Sequence, residues 1–171
     1  MKTLTEHKNT PTKYFDSLKT NTVPLISWGF SATYQTEIKN IILDFNKISI
    51  LASQKKWKNT NWDFKNKLEE KVILITDANL NIVFASHSMY KMNGYVEQEV
   101  LGNSPKMFQG KNTIKETSNE IREAITLQKP FFKKVLNYKK NGELYYCTIE
   151  GFPIYNKNGV LVNFIAFEQA A

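Results

Sequence analysis

From Tyr34 to Gln54 the apolar residues Ile38, Ile41, Ile42, Phe45, Ile48 and Leu51 recur at spacings of 3, 1, 3, 3 and 3. That periodicity predicts one stripe of an amphipathic helix. A shorter helix is predicted over 63–70, with Asn61 as candidate cap and Trp62 and Phe64 as apolar anchors. The pattern then changes. VILIT at 72–76 and NIVFA at 81–85 are β-rich runs around Asp77-Ala-Asn79 and predict a hairpin. Short helical pieces are expected at 86–92 and 97–101 in a stretch punctuated by Gly94, Gly102 and Pro105. Thr113-Ile-Lys-Glu116 reads as a capping box opening a helix to about Leu127. Three strands follow, at 131–139, 143–154 and 160–168, joined by turns that each contain Asn-Gly. The order predicts an α+β protein: a five-stranded antiparallel sheet with short helices on one face, a helical N-terminal extension, and a pocket between sheet and helices.

Composition narrows the class. The chain has 171 residues, 42% hydrophobic and 23% charged, which is too apolar for disorder. The division expected is a frayed tail at 1–21, a helical extension at 22–70 and a domain at 71–169. No apolar run is long enough to span a bilayer, and the polar start lacks the apolar middle of a signal peptide. These features predict a cytoplasmic protein that does not enter membranes. The net charge of +7 is spread evenly, with 11 basic against 7 acidic residues in 1–70 and 12 against 9 in 71–171. Arg122 is the single arginine among 23 basic residues, so the arginine fork that reads bases is nearly absent. No nucleic-acid partner is expected.

Catalytic constellations are not visible. No nucleophile elbow, P-loop, H-E-x-x-H or Gly-rich dinucleotide turn occurs. The single cysteine, Cys147, excludes an internal disulfide, and with two histidines it leaves no metal set. It lies mid-strand in YYCTIEG and reads as a buried thiol. Glu116, Glu120 and Glu123 read as a solvated helix face. The expectation is a protein that is not an enzyme.

Residues 72–168 resemble a PAS domain, through VILITDANLNIVFAS, Gly94-Tyr95 with EQEVLG, KMFQG, IREAI, LNYKKNGELYYC and GVLVNFIAFE. The resemblance is nearest to the light-oxygen-voltage (LOV) branch, which binds FMN. The LOV segment G-x-N-C-R-F-L-Q-G is matched by Gly102-Asn-Ser-Pro-Lys-Met-Phe-Gln-Gly110. The resemblance implies that Lys106 and Arg122 stand at phosphate-binding positions, Gln109 at a ribityl contact and Asn137 at a ring-reading asparagine. It also implies departures at the ring end. Pro105 replaces the cysteine that forms the photoadduct, Ser104 the asparagine before it, Cys147 the second ring-reading asparagine, and Glu168 the glutamine beside flavin N5. Strand alternation puts Cys147, Ile149 and Gly151 on one face, and likewise Phe164, Ala166 and Glu168.

Two readings follow. In one, a sensory module works by binding a ligand or a signalling partner protein, without LOV adduct chemistry, and the pocket either is filled by Met89, Met92, Met107 and Phe108 or holds another small molecule. In the other, the module is a photosensor or redox sensor holding FMN non-covalently. The chain ends at Ala171, soon after the last strand, which turns attention to the N-terminal helix. That helix is expected to pack on the sheet or on a partner, including a second copy in a homodimer.

Overall fold

The structure, a computed structural model, describes residues 25–58 and 62–171. The expected frayed tail at 1–21 and the candidate cap Asn61 lie outside the described residues. Two units divide the chain at 35/36. In the first, 25–35 are helical; the second, from Thr36 onward, contains the whole sheet.

The elements are α1 (Leu25–Gln54), α2 (Phe64–Glu70), β1 (Val72–Asp77), β2 (Ile82–Ala85), α3 (Ser88–Asn93), α4 (Glu97–Val100), a 3₁₀ turn (Pro105–Phe108), α5 (Lys115–Thr126), β3 (Phe131–Tyr138), β4 (Leu144–Tyr155) and β5 (Leu161–Ala170). The strands form one antiparallel sheet in the order β2-β1-β5-β4-β3. The fold is α+β, as the pattern predicts. Gly142 and Gly159 take positive φ in the two Asn-Gly turns, a conformation that costs glycine nothing.

Period-two alternation sorts the strands onto two faces. One face carries Ile73 and Ile75 of β1 with Ile165 and Phe167 of β5, covered by Ile48 and Ala52 of α1 and Phe64 and Leu68 of α2. Each fully buried large apolar side chain here contributes about 1.5–3 kcal/mol. Trp57 closes this layer, donating from Nε1 to Asn163 Oδ1 at 2.9 Å, and Trp62 packs edge-on against Phe152. The later turns of α1, from Ile41 on, and α2 therefore lie on the sheet. The opposite face carries Val72 and Leu74, packed with Met89, Val100 and Phe108 from α3, α4 and the 3₁₀ turn.

Three expectations need correction. In the α1 stripe, Ile41, Phe45, Ile48 and Leu51 meet the core, but Ile38 and Ile42 stay exposed at 40% and 54%. The buried face instead includes Asp44. The cap of α2 is Asp63, which accepts from Asn66 N. Thr113 does not open a capping box: the N-cap of α5 is Ile114, with no side-chain cap bond. The Thr113 hydroxyl instead donates to Leu136 O at 2.7 Å and accepts from Gly110 N at 3.0 Å, tying the loop to β3. A tertiary bond has outcompeted a local one.

Candidate functional site

A cavity lies between the second sheet face and the cover formed by α5 and the 3₁₀ turn. Measured as room for the centres of water-sized spheres, its volume is ≈ 100 Å³. Alternation builds its floor: Leu74 and Thr76 from β1, Asn137 from β3, Ile149 and Gly151 from β4, and Phe164, Ala166 and Glu168 from β5. The walls are Pro105, Phe108 and Gln109 from the 3₁₀ turn with Ile121 and Ile125 from α5. Leu80 reaches the rim from the β1–β2 turn with φ of 65°, an uncommon backbone state for a leucine. The Asp77 carboxylate holds that turn, accepting from Asn79 N at 2.9 Å and Asn81 N at 2.8 Å. Burial pushes Asp77 upward, but the bonds from Asn81 and Asn79 prevail and hold it below the usual carboxylate range.

Of the residues singled out from the sequence, Gln109, Asn137 and Glu168 line the cavity together. Cys147 is buried behind Glu168, with Sγ 3.8 Å from Glu168 Oε2. Ser104 caps the 3₁₀ turn, accepting from Lys106 N at 3.5 Å. Lys106 and Arg122 are exposed and outside the lining, although each adjoins a lining residue, Pro105 and Ile121. Met89, Met92 and Met107 belong to the neighbouring apolar cluster, and of that foursome Phe108 alone faces the cavity, so they do not fill it. The sequence reading missed Thr76, Leu80, Ile121, Ile125 and Phe131. Alternation from Val72 would have found Thr76; the turn conformation of Leu80 leaves no such trace.

The chemistry of the lining is apolar with a few buried polar atoms. Thr76 Oγ1 and Asn137 Oδ1 have no hydrogen-bond partner, and buried polar atoms rarely stay unpaired. Glu168 is 4% exposed, and desolvation by burial pushes its carboxyl up to about 7. Burial, followed by the neighbouring Glu168, pushes the Cys147 thiol up, so it is a poor nucleophile. Burial likewise raises the Tyr145 hydroxyl. Among the described residues no group of three or more His, Cys, Asp or Glu is placed to hold a metal ion, and no helix is long and apolar enough to cross a membrane.

The PAS domain family model matches residues 70–169. The chain belongs to the PAS family. Among curated proteins, this PAS domain is 39% identical over 88 residues to Protein TWIN LOV 1 of Arabidopsis thaliana. It is 35% identical over 97 residues to the blue-light-activated histidine kinase of Brucella canis. These matches cover 51% and 55% of the chain but 22% and 20% of the relatives, so the chain spans about a fifth of their length. Among solved structures, the Aureochrome1 LOV blue-light photoreceptor is 26% identical with a TM-score of 0.58, over 62% of this chain and 85% of that one. The LOV domain of the Erythrobacter litoralis EL346 histidine kinase, at 17% identity and TM-score 0.56 over 58% and 94%, shares the fold. The likeness of this PAS domain is to the LOV branch.

Proposed function

We propose that this PAS domain is a signalling sensor that holds a flavin of the FMN class non-covalently in the cavity. The observation that carries this reading is the preformed apolar cavity with two orphaned polar atoms, Thr76 Oγ1 and Asn137 Oδ1, in its wall. An isoalloxazine ring meets those requirements: flat apolar faces for Leu74, Ile149 and Phe164, and a polar edge for Asn137, Thr76 and Glu168. Gln109 suits the sugar-alcohol chain, while Lys106 and Arg122 supply positive charge for a phosphate at the rim. Bound flavin supplies visible-light absorption and one- or two-electron redox chemistry. The LOV relatives, named as blue-light receptors, support the same ligand class.

The chain's own groups argue against thiol-adduct signalling. Pro105 lines the cavity without a nucleophile, and the single thiol is buried on β4 with its pKa raised. The residues instead bind, orient and exclude water. The exposed Ile38, Ile42 and Ile50 of α1 support this helix as the contact for a partner protein or a second copy.

The test is reconstitution. Purified protein mixed with FMN is expected to turn yellow, retain flavin through gel filtration and show a structured flavin band. Free flavin eluting apart from a colourless protein would sink the reading. Illumination of the loaded protein is expected to leave no covalently attached flavin after denaturation.

A further inference from the structure

The Glu168 side chain poses a problem that the protein alone does not solve. It is fully enclosed, lies on the cavity floor, and pairs across the sheet with Val72 and Ile149. Among the described residues no cation pairs with it. Its recorded hydrogen-bond partner is the Cys147 thiol, a weak donor, at 3.8 Å. A buried carboxylate so poorly compensated costs several kcal/mol, whereas the protonated acid is tolerated. The acid form creates a new demand, because its O–H then needs an acceptor. On the same floor Asn137 Oδ1 is a buried acceptor that no hydrogen bond satisfies, beside the equally unpartnered hydroxyl of Tyr145, its cross-strand neighbour.

We propose that Glu168 meets the ligand as a neutral proton donor, so that the cavity selects a ligand edge carrying a donor and an acceptor together and binds it with linked uptake of one proton. This deepens the flavin reading and rests on it for the choice of probe. A lactam or imide edge, as on a pyrimidine-type ring, has the required pairing: its N–H suits Asn137 Oδ1 and its carbonyl or ring nitrogen suits the Glu168 O–H.

The surroundings favour this linkage. Titratable groups that interact with Glu168 are Cys147 and Tyr145, both from β4 and both held neutral by burial. β1 contributes Val72, Leu74 and Thr76, and β3 contributes Asn137, none of which is charged. With no neighbouring charge to compensate it, ionisation of Glu168 competes directly with ligand binding. Burial places the titration at about 7, inside the range where cells and buffers vary.

The experiment titrates FMN into full-length protein by flavin fluorescence from about pH 5.5 to about pH 8.5, for wild type and Glu168→Gln. Wild-type Kd is expected to be flat at the acidic end and to rise about tenfold per pH unit above the midpoint. The E168Q protein, whose amide donates at every pH, is expected to lack that rise and to keep only the small change that the FMN phosphate's own ionisation at about pH 6 brings at the rim. A flat wild-type profile with FMN bound overturns the proposal and leaves the flavin reading standing. If FMN binds neither protein at any pH, the flavin reading falls, and infrared spectroscopy of the ligand-free protein decides the rest. A protonated-carboxyl C=O band that fades with rising pH and is missing in E168Q supports the neutral Glu168 donor. Its absence in wild type overturns it.

Discussion

The Asp44 carboxylate, buried on α1, accepts two hydrogen bonds from His87: Oδ2 from the backbone N–H at 2.8 Å and Oδ1 at 2.7 Å from the ring Nδ1. His87 is the N-cap of α3 and makes no cap bond with its own side chain. An acid from a distant helix therefore satisfies the exposed amide end of α3, where negative charge is favoured. Burial raises the Asp44 pKa while the His87 bonds oppose it. Asp44→Ala orphans the His87 amide and is expected to cost about 1–3 kcal/mol in chemical denaturation. Amide exchange in the second half of α1 should accelerate in the same variant. Unchanged exchange there would show that the contact does not anchor the helix.

A second tie lies at the end of α1. Trp57 Nε1 donates to Asn163 Oδ1, and Asn163 Nδ2 donates to Thr76 O at 2.9 Å. This chain of bonds links the α1–α2 connection through β5 to β1. Trp57→Phe keeps most of the apolar burial and removes the donor, leaving a buried acceptor unpaired. The expected loss is about 1–2 kcal/mol, against about 3–5 kcal/mol for Trp57→Ala, which also opens a cavity. Thermal melts of the two variants distinguish the parts.

Gly151 tests the cavity itself. A Cβ added there would lie 2.3 Å from the Phe131 ring, so alanine must displace that ring, and both residues line the cavity. Gly151→Ala is expected to weaken FMN binding at least about tenfold, a modest cost for overpacking. Glu168 and Asn137 would remain in place, so Kd should shift without changing the pH profile. Equal affinity in the alanine variant would mean that the ligand does not reach the β3–β4 end of the floor.

The fold was readable because its signals are local. Alternation in VILIT, the two Asn-Gly turns and the spacing of Ile41, Phe45, Ile48 and Leu51 each report one element. Sequence reasoning lost its grip where a distant partner decides. Asp44 looks like a solvent residue until His87 arrives, and Thr113 looks like a cap until Leu136 O claims its hydroxyl. Matching to the LOV pattern gathered Gln109, Asn137 and Glu168, since strand alternation and a fixed turn place them. It could not show that Glu168 would meet no cation among the described residues. That depends on which residues from β1 and β3 face it, and those are separated by the whole cover.

Glu168 also makes stability depend on pH. Its folded pKa, about 7, lies above the ordinary value of 4.5 that the unfolded chain approaches. The folded state therefore binds the extra proton between those values, and stability falls as pH rises through them. Below about pH 4.5 the contribution is fully present; above about pH 7 it is gone, leaving a loss on the order of 3 kcal/mol. Glu168→Gln should match wild type at acidic pH and exceed it at about pH 8 by a comparable margin. Melting the two proteins side by side across pH checks this, with no ligand involved.

The rim separates ring binding from phosphate binding. Lys106 and Arg122 are exposed and stand beside the lining residues Pro105 and Ile121. If they hold the phosphate, FMN should bind more tightly than riboflavin, which has the same ring and chain but no charge. Exposed ion pairs are weak, each worth about 0.2–1 kcal/mol. The expected preference is therefore a few-fold to about tenfold, shrinking as salt is added. Arg122→Ala and Lys106→Ala should each reduce that preference while leaving riboflavin affinity unchanged. Equal binding of FMN and riboflavin by the wild-type protein would place the phosphate in solvent and remove both residues from the site.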